Sequence, residues 1–254
     1  MTRIYSRNIA VDGGQTPSVD GWTKREPPTI PSGFDPLAMK MTSGWGAPSA
    51  QWMWLAAAAD SANSGTSGVW RIRVSPSATP EIGMVLKTGV CTAFSCSQML
   101  AVHGASSDSV WAVGMGGGIV HVTGADGDNP VVTAHNSRSF DALSGVWAAS
   151  DTDVWAVGVR GQMRHYRGDS VLWDVVADVP TSVDLHAVWG SSPKDVWAVG
   201  DGAVVLHYDG TSWSRVKIAG FGKRRPNLTT VWLAGPGHVW VGGKGVVLSL
   251  GGKS

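Results

Sequence analysis

The sequence is poor in charged residues and has no long apolar run. Charged side chains make up 15% of its 254 residues and leave a net charge of +1, against a usual charged share of about 25%. So small a net charge creates no global field that would attract nucleic acid, and we expect no nucleic-acid partner. The absence of a stretch of about 18 apolar residues predicts no transmembrane helix and no membrane insertion. The chain does not open on a signal-peptide pattern, so we expect a cytoplasmic protein if Met1 is the native start, and a secreted or cell-surface one if a leader has been removed.

Cysteine and catalytic signatures are also scarce. Cys91 and Cys96 are the only two thiols, too few for a tetrahedral zinc site. Two structural thiols are the favoured interpretation, and a small surface disulfide, which would indicate an oxidising compartment, is the alternative. The sequence lacks the zinc-protease, nucleophile-elbow and P-loop signatures. We therefore expect no enzymatic activity, no catalytic residues, no metal and no cofactor.

Short apolar runs separated by turn residues fill the stretch from Leu185 to Trp213. The runs are rich in Val, Trp, Tyr and His and are bounded by Gly, Ser, Asp and Pro, a pattern typical of strands and tight turns. The apolar spacing of an amphipathic helix is missing. The stretch predicts a four-stranded antiparallel meander, which cannot bury both of its apolar faces without neighbours of the same kind.

Two series of aromatic residues repeat this meander five times. In the predicted second strands, at spacings of 57, 44, 42 and 43 residues, the series is Trp54, Trp111, Trp155, Trp197 and Trp240. In the predicted first strands, eight or nine residues earlier, it is Trp45, His103, Trp147, Trp189 and Trp232. A period of about 40–45 residues with four strands per unit is typical of β-propellers. The sequence thus predicts an all-β fold, a five-bladed β-propeller with four-stranded antiparallel blades.

The predicted propeller is a single domain spanning residues 1–254. Its blades are expected at about 37–90, 98–135, 140–179, 183–219 and 228–250. The fifth blade has room for only three strands, whereas residues 21–26 of the N-terminal segment 1–36 resemble a fourth strand, with Trp22 placed like Trp213. We expect this segment to pair with Val246–Leu250 and close the ring, because closure removes an exposed sheet edge.

The repeat also resembles a known family. From Trp189 the chain reads WGSSPKDVWAVGDGAVVLHYDGTSW. This is similar to Trp-rich bacterial propeller repeats of the form W-G-x-S-x-x-D-V-W-A-V-G-x-G-x-x-x-H-Y-D-G-x-x-W, and distantly similar to photosystem-assembly-factor and sialidase-like propellers. The resemblance is good over roughly residues 98–250 and poor over 37–97. It supports the fold and says little about activity.

Histidines recur at one position of the predicted third strands. They are His121, His165 and His207, with Arg73 and Ser249 as the corresponding residues of the other two blades. Equivalent histidines could in principle share a metal. The third strand, however, lies outside the channel-lining strand, so we expect these side chains to be far apart.

Binding is expected on one face of the propeller. The second-to-third turns and the links between blades share that face, and they include the long, irregular connections. The segment around Phe221 is locally basic and favours an anionic partner, although a solvated charge run is the alternative. The candidate binding residues on this face are Phe221, Lys223, Arg224, Arg225, Phe34 and Arg138.

The sequence leaves three function classes. A non-catalytic protein-binding scaffold, whose partner is another protein or a larger assembly, is the first. The alternative is a carbohydrate-binding lectin with repeat-equivalent sites between blades, for which the partner would be a glycan. A glycosidase-like enzyme is a distant third.

Overall fold

The computed structural model describes residues 4–7, 22–25, 39–48, 50–59, 67–73, 81–85, 98–168, 171–219, 223–235 and 237–250. Within these ranges the regular structure is β-strand, apart from three single-turn 3₁₀ segments. None of the helical turns in these ranges approaches the length and apolar character needed to cross a membrane.

Five antiparallel sheets and one N-terminal hairpin make up the described chain. The first sheet has β3 (Met39–Trp45), β4 (Met53–Ala59), β5 (Gly68–Arg73) and β6 (Glu81–Met84). The second has β7 (Met99–Ser106), β8 (Ser109–Gly114), β9 (Gly118–Thr123) and β10 (Val131–Asn136). The third has β11 (Leu143–Ser150), β12 (Asp153–Gly158), β13 (Met163–Tyr166) and β14 (Asp174–Val175). The fourth has β15 (Leu185–Ser192), β16 (Asp195–Gly200), β17 (Val204–Tyr208) and β18 (Trp213–Arg215). The fifth has β19 (Leu228–Gly235), β20 (His238–Gly243) and β21 (Val246–Leu250).

Each sheet is a meander whose first strand is innermost. β7 lies against both β3 and β11, and β15 lies against both β11 and β19. The inner strands of all five sheets line one central cavity. The second strands of the second and third sheets are apolar at nearly every position because both of their faces are covered, and Val110–Gly114 is buried throughout. The predicted all-β fold with four-stranded antiparallel sheets is therefore confirmed.

The second-strand tryptophans form the core between consecutive sheets. Trp111 of the second sheet packs against Tyr166 and Trp173 of the third, with ring centroids 5.0 and 5.5 Å away. Trp155 packs in the same way on the fourth sheet, and Trp54 packs on the second. Since burying a large aromatic ring contributes several kcal/mol of stability, these indoles hold neighbouring sheets together.

The first-strand aromatic residues make a second contact between sheets. A Cβ atom added at Gly104 would overlap the indole of Trp45, and one added at Gly190 would lie 2.6 Å from the indole of Trp147. Each indole thus lies over a glycine of the next inner strand. His103 takes this place in the second sheet, and its Nδ1 accepts a hydrogen bond from the N–H of Ala148 at 3.2 Å.

Every inner strand carries a β-bulge at the same position. At this position one residue of each first strand is skipped in the pairing with its second strand, and four of the five first strands skip a second residue near their other end. A bulge leaves its extra residue outside the ladder and re-aims its side chain. The five bulged residues are Thr42, Leu100, Ser144, His186 and Thr229, and all five line the central cavity.

The expected closure of the ring by residues 21–26 is not confirmed. Strand β2 (Trp22–Arg25) pairs in antiparallel register with β1 (Ile4–Arg7) in a separate two-stranded sheet, and in the described residues the fifth sheet ends at β21. A partner some fifteen residues away closes a far shorter loop than one at the other end of the chain, so its entropic cost is lower. On one face of the fifth sheet two large aromatic residues are half exposed, Trp232 at 50% and Trp240 at 47%.

Candidate functional site

The second-to-third turns and the links between sheets form one face of the molecule, here called the loop face. The turns are the 3₁₀ segments Met115–Gly117, Val159–Gly161 and Asp201–Ala203. Each contains two consecutive residues with positive φ, which are Arg160 (57°) and Gly161 (71°) in the third sheet. The amide of Arg160 donates to Oδ1 of Asp184 at 2.8 Å, and the amide of Ala203 donates to the carbonyl of Pro226 at 2.8 Å. Turns and links are therefore fixed to one another.

A basic pocket opens on the loop face between the outer strand of the fourth sheet and the link to the fifth. Its volume is about 290 Å³. The residues that line this basic pocket are Gly202, Ala203, Arg215, Val216, Lys217, Ile218 and Arg225. Three of the seven are cationic and none is acidic, and in the described part of the chain Arg215 and Lys217 form no ion pair. The pocket is thus suited to an anionic group.

Of the predicted site residues that the structure describes, one lies in this pocket. Arg225 lines it, and Lys223 and Arg224 lie exposed just before Arg225 on the same link. Arg138 lies in the link between the second and third sheets, where its amide donates to Oδ1 of Asn136 at 2.8 Å, and it does not line the pocket. Phe221 and Phe34 lie outside the described residues.

Sequence reasoning missed the other two cations of the pocket. Arg215 is the last residue of β18, and Lys217 follows it after one apolar residue, Val216. Alternate residues of an extended segment point to the same side, so the Arg-Val-Lys-Ile spacing was the available signal. That these two side chains meet Arg225 depends on the packing of the outer strand against the link.

The third-strand histidines are engaged within their own sheets. Nε2 of His165 lies 2.7 Å from Oδ1 of Asp153, and Nε2 of His207 lies 2.9 Å from Oδ1 of Asp195. Burial raises the pKa of Asp195, but hydrogen bonds from Ser191, Trp197 and His207 outweigh it and hold that pKa below its ordinary value. Among the described residues the structure contains no group of His, Cys, Asp and Glu that could hold a metal ion.

In the second sheet a serine replaces the aspartate. Oγ of Ser109 lies 2.8 Å from Nε2 of His121, and burial lowers the pKa of His121, with Asp151 acting in the opposite direction. The prediction that Arg73 is the first-sheet counterpart is wrong, because Arg71 lies opposite Trp54 as His121 lies opposite Trp111. Ser249, opposite Trp240, is confirmed as the counterpart in the fifth sheet.

Arg71 fastens the first sheet to the second instead of making a histidine-type pair. Its guanidinium donates to the carbonyls of Gly127 and Asp128 at 2.5 and 2.9 Å and lies 4.0 Å from the ring centre of Trp52. Burial lowers the pKa of Arg71. In addition, Oδ1 of Asp126 accepts from the amide of Trp52 at 3.2 Å. The first sheet therefore uses a charged group where the second, third and fourth sheets use His.

Comparison with known proteins gives a match in fold alone. No protein-family model matches the chain, and no curated protein matches it. Among solved structures, virginiamycin B lyase from Staphylococcus aureus is similar with a TM-score of 0.57 at 10% identity, covering 83% of this chain and 69% of the lyase. The photosystem assembly factor YCF48 bound to D1 peptide is similar with a TM-score of 0.43 at 12% identity, covering 92% and 83%. YCF48 from Cyanidioschyzon merolae gives 0.40 at 14% identity, covering 79% and 77%.

All three of these proteins are β-propellers, so the predicted resemblance to propellers of this kind is confirmed. Of these three comparisons the one with the lyase exceeds a TM-score of 0.5, and at 10% identity it supports the propeller fold and nothing about activity.

Proposed function

We propose that the chain is a non-catalytic scaffold that binds an acidic segment of another protein on its loop face. The observation that supports this most is the basic pocket, in which Arg215, Lys217 and Arg225 converge without an acidic residue. Its framework is a five-bladed propeller, proposed because five inner strands surround one cavity. The seam of the ring lies between the fifth and first sheets.

The chemistry of the basic pocket favours carboxylate groups on a protein segment. A guanidinium binds a carboxylate with two parallel hydrogen bonds, so Arg215 beside Lys217 can hold a carboxylate. Arg225, whose guanidinium donates to the carbonyl of Arg224 at 2.7 Å, adds a third positive charge to the pocket. The volume of about 290 Å³ suits one or two acidic side chains. The remaining cations of the link, Lys223 and Arg224, are exposed beside the pocket and extend the attraction to flanking residues.

The absence of catalysis is part of this proposal. The histidines that repeat through the third strands use Nε2 on Ser109, Asp153 and Asp195 and stack on tryptophan rings. Side chains used in this way support the sheets and do not face a substrate. A panel of glycosidase and esterase substrates should therefore show no turnover, and turnover that a single substitution abolishes would contradict this part of the proposal.

The binding proposal is tested with labelled acidic peptides and fluorescence anisotropy. Peptides that contain Glu or Asp pairs should bind, whereas the same peptides with Gln and Asn should not. The triple variant Arg215→Ser, Lys217→Ser, Arg225→Ser should lose binding, and affinity for the unaltered protein should fall with added salt because exposed charges are screened over about 10 Å at 0.1 M salt.

The matched control removes cations from the opposite face. Arg167 and Lys194 lie at the end of the sheets that carries the first-to-second and third-to-fourth turns. The double variant Arg167→Ser, Lys194→Ser should bind the acidic peptides as well as the unaltered protein does. If this control loses binding and the triple variant keeps it, the loop face is the wrong surface.

A further inference from the structure

The central cavity is a second concave space, separate from the basic pocket. Its volume is about 350 Å³, and the inner strands of all five sheets contribute to its wall. It shares no lining residue with the basic pocket. Because each of the five sheets contributes one inner strand to its wall, a ligand bound in it would be present once per chain.

One level of the central cavity is rich in polar side chains because of the five bulges. The bulged residues there are Thr42, Leu100, Ser144, His186 and Thr229. The hydroxyl of Thr42 is used within the fold, since it donates to the carbonyls of Ala56 and Met99. In the described part of the chain the hydroxyls of Ser144 and Thr229 have no hydrogen-bond partner. These two hydroxyls are therefore available to a ligand.

His186 adds an imidazole at the same level. Its Nε2 lies 2.8 Å from Oδ1 of Asp201, and this contact orients the ring and leaves Nδ1 for another partner. A bulge places the side chain of its extra residue away from the ladder, and the residue lines the cavity. One level of the wall thus offers two hydroxyls and a fixed imidazole nitrogen.

Aromatic rings line the cavity three residues further along the inner strands, a distance of about 10 Å at the rise of a strand. These residues are Trp45, His103, Trp189 and Trp232. The ring of His103 meets that of Trp189 edge to face at 4.9 Å and that of Trp45 at 5.7 Å. Because Nδ1 of His103 accepts from the amide of Ala148, the neutral imidazole carries its proton on Nε2.

The wall of the cavity carries no fixed charge. None of its nineteen lining residues is Asp, Glu, Lys or Arg, and the only titratable ones are His103 and His186. Burial lowers the pKa of His103 to about 4, so this ring is neutral at physiological pH. An ionic ligand would lose its hydration without gaining an opposite charge, whereas an uncharged ligand with several hydroxyls would find both donors and acceptors.

We propose that the central cavity binds one small uncharged sugar, of the size of a monosaccharide. Its hydroxyls bond to Ser144, His186 and Thr229, and its C–H face lies against the aromatic rings around His103 and Trp189. The volume of about 350 Å³ lies near the lower end of the usual range for ligand pockets, which favours a single sugar ring over an oligosaccharide. This is one axial site, unlike a lectin with repeat-equivalent sites between blades, and it does not depend on the basic pocket.

The test is calorimetric titration of the full chain with uncharged monosaccharides: glucose, galactose, mannose, fucose, xylose and N-acetylglucosamine. At least one should bind with a stoichiometry of one per chain. Ser144→Ala and Thr229→Val should each lower the affinity about tenfold, the effect of losing one hydrogen bond to a ligand. Thr211→Val, the same substitution in an exposed turn outside the cavity, should leave it unchanged.

The folding of the two cavity variants and their binding to acidic peptides are measured in the same experiment. Both cavity variants should keep the melting temperature of the unaltered protein and its affinity for acidic peptides, which separates this proposal from that of the basic pocket. A second variant, Ser144→Phe, should block the cavity and abolish sugar binding. The proposal is overturned if none of the six sugars binds, if Ser144→Ala and Thr229→Val bind as tightly as the unaltered protein, or if more than one sugar binds per chain.

Discussion

The imidazole of His165 lies flat on the indole of Trp155, with ring centroids 3.8 Å apart and ring planes 14° apart. The same imidazole is held from its edge by Asp153, at 2.7 Å from Nε2. The arrangement recurs in the fourth sheet with Trp197, His207 and Asp195. A carboxylate at the start of the second strand, a third-strand histidine and a second-strand tryptophan thus form one unit. In this unit the aspartate fixes the ring that covers the core indole.

We expect Asp153→Ala to destabilise the protein. The side chain of His165 is only 10% exposed, so removal of its partner leaves a buried ring nitrogen without a hydrogen bond, at a cost of about 1–3 kcal/mol. Urea unfolding followed by tryptophan fluorescence measures the change. Asp151→Ala, in the exposed part of the same turn, is the control and should change stability by less than about 0.5 kcal/mol. Equal effects of the two substitutions would show that the pair contributes nothing.

His103 and Ala148 should be energetically coupled. The indoles of Trp45 and Trp147 each pack on a glycine of the next inner strand. The smaller ring of His103 instead packs on Ala148. The fifth sheet does not show this relation between ring size and the packed residue, because Leu233 occupies the position equivalent to Gly190. His103→Trp alone should overpack this contact and cost about 1–3 kcal/mol, and adding Ala148→Gly should recover part of the loss.

A double-mutant cycle measures that coupling. The interaction energy between the two substitutions is expected within the range of about 0.5–3 kcal/mol that contacting residues show. Ala148→Gly alone should be destabilising, because it leaves a gap beside His103 and adds backbone freedom. Strict additivity of the two single changes would mean that the ring of His103 does not limit the size of residue 148.

Stability should fall when the pH is lowered from about 6.5 to about 4. Burial lowers the pKa of His103 to about 4, and burial with the nearby His121 lowers that of His135 to about 4. The unfolded chain therefore takes up protons first as the pH falls, and the stability present above about pH 6.5 is progressively lost. For His103, which is almost fully buried, the shift corresponds to about 3 kcal/mol.

His103→Asn separates this contribution from general acid denaturation. Asparagine keeps an acceptor for the amide of Ala148 and does not titrate. The variant should show a smaller difference in the free energy of unfolding between neutral and mildly acidic pH than the unaltered protein. A pH dependence identical in both would show that His103 is not desolvated in solution.

The repeated part of the fold could be predicted from sequence because the same residues mark the same places in each sheet. The Trp series identified the first and second strands, and the long-loop argument selected the segment that contains Arg225. Register within a strand was harder: Arg71 and Arg73 are two residues apart and share a face, and a pattern of period two cannot distinguish them. The pairing in the structure assigns Arg71 to the histidine position.

Features that depend on packing between distant segments could not be predicted. Ser144 and His186 resemble ordinary strand residues in sequence. Their position in the cavity follows from a β-bulge that the amino-acid sequence does not reveal. The basic pocket needs the outer strand of the fourth sheet to lie beside the link to the fifth. The partner of β2 was missed because Ile4–Arg7 is a weak strand signal. The resemblance of Trp22 to Trp213 instead favoured pairing with the distant strand Val246–Leu250.

The seam between the fifth and first sheets should contribute less stability than the contacts between the other sheets. Trp155 is 2% exposed and Trp240, its equivalent in the fifth sheet, is 47% exposed. Trp155→Ala should therefore cost about 3–5 kcal/mol, whereas Trp240→Ala removes a ring that is already half in water and should cost about 1 kcal/mol. Urea unfolding of the two variants under identical conditions makes the comparison. If Trp240→Ala costs as much as Trp155→Ala, the indole of Trp240 is buried in solution as its counterparts are. The fifth sheet would then pack on the first sheet through its second-strand tryptophan, as the other sheets pack on the sheets that follow them. Trp240 would make this contact because, in the described chain, no other apolar residue of β20 faces that side of the fifth sheet.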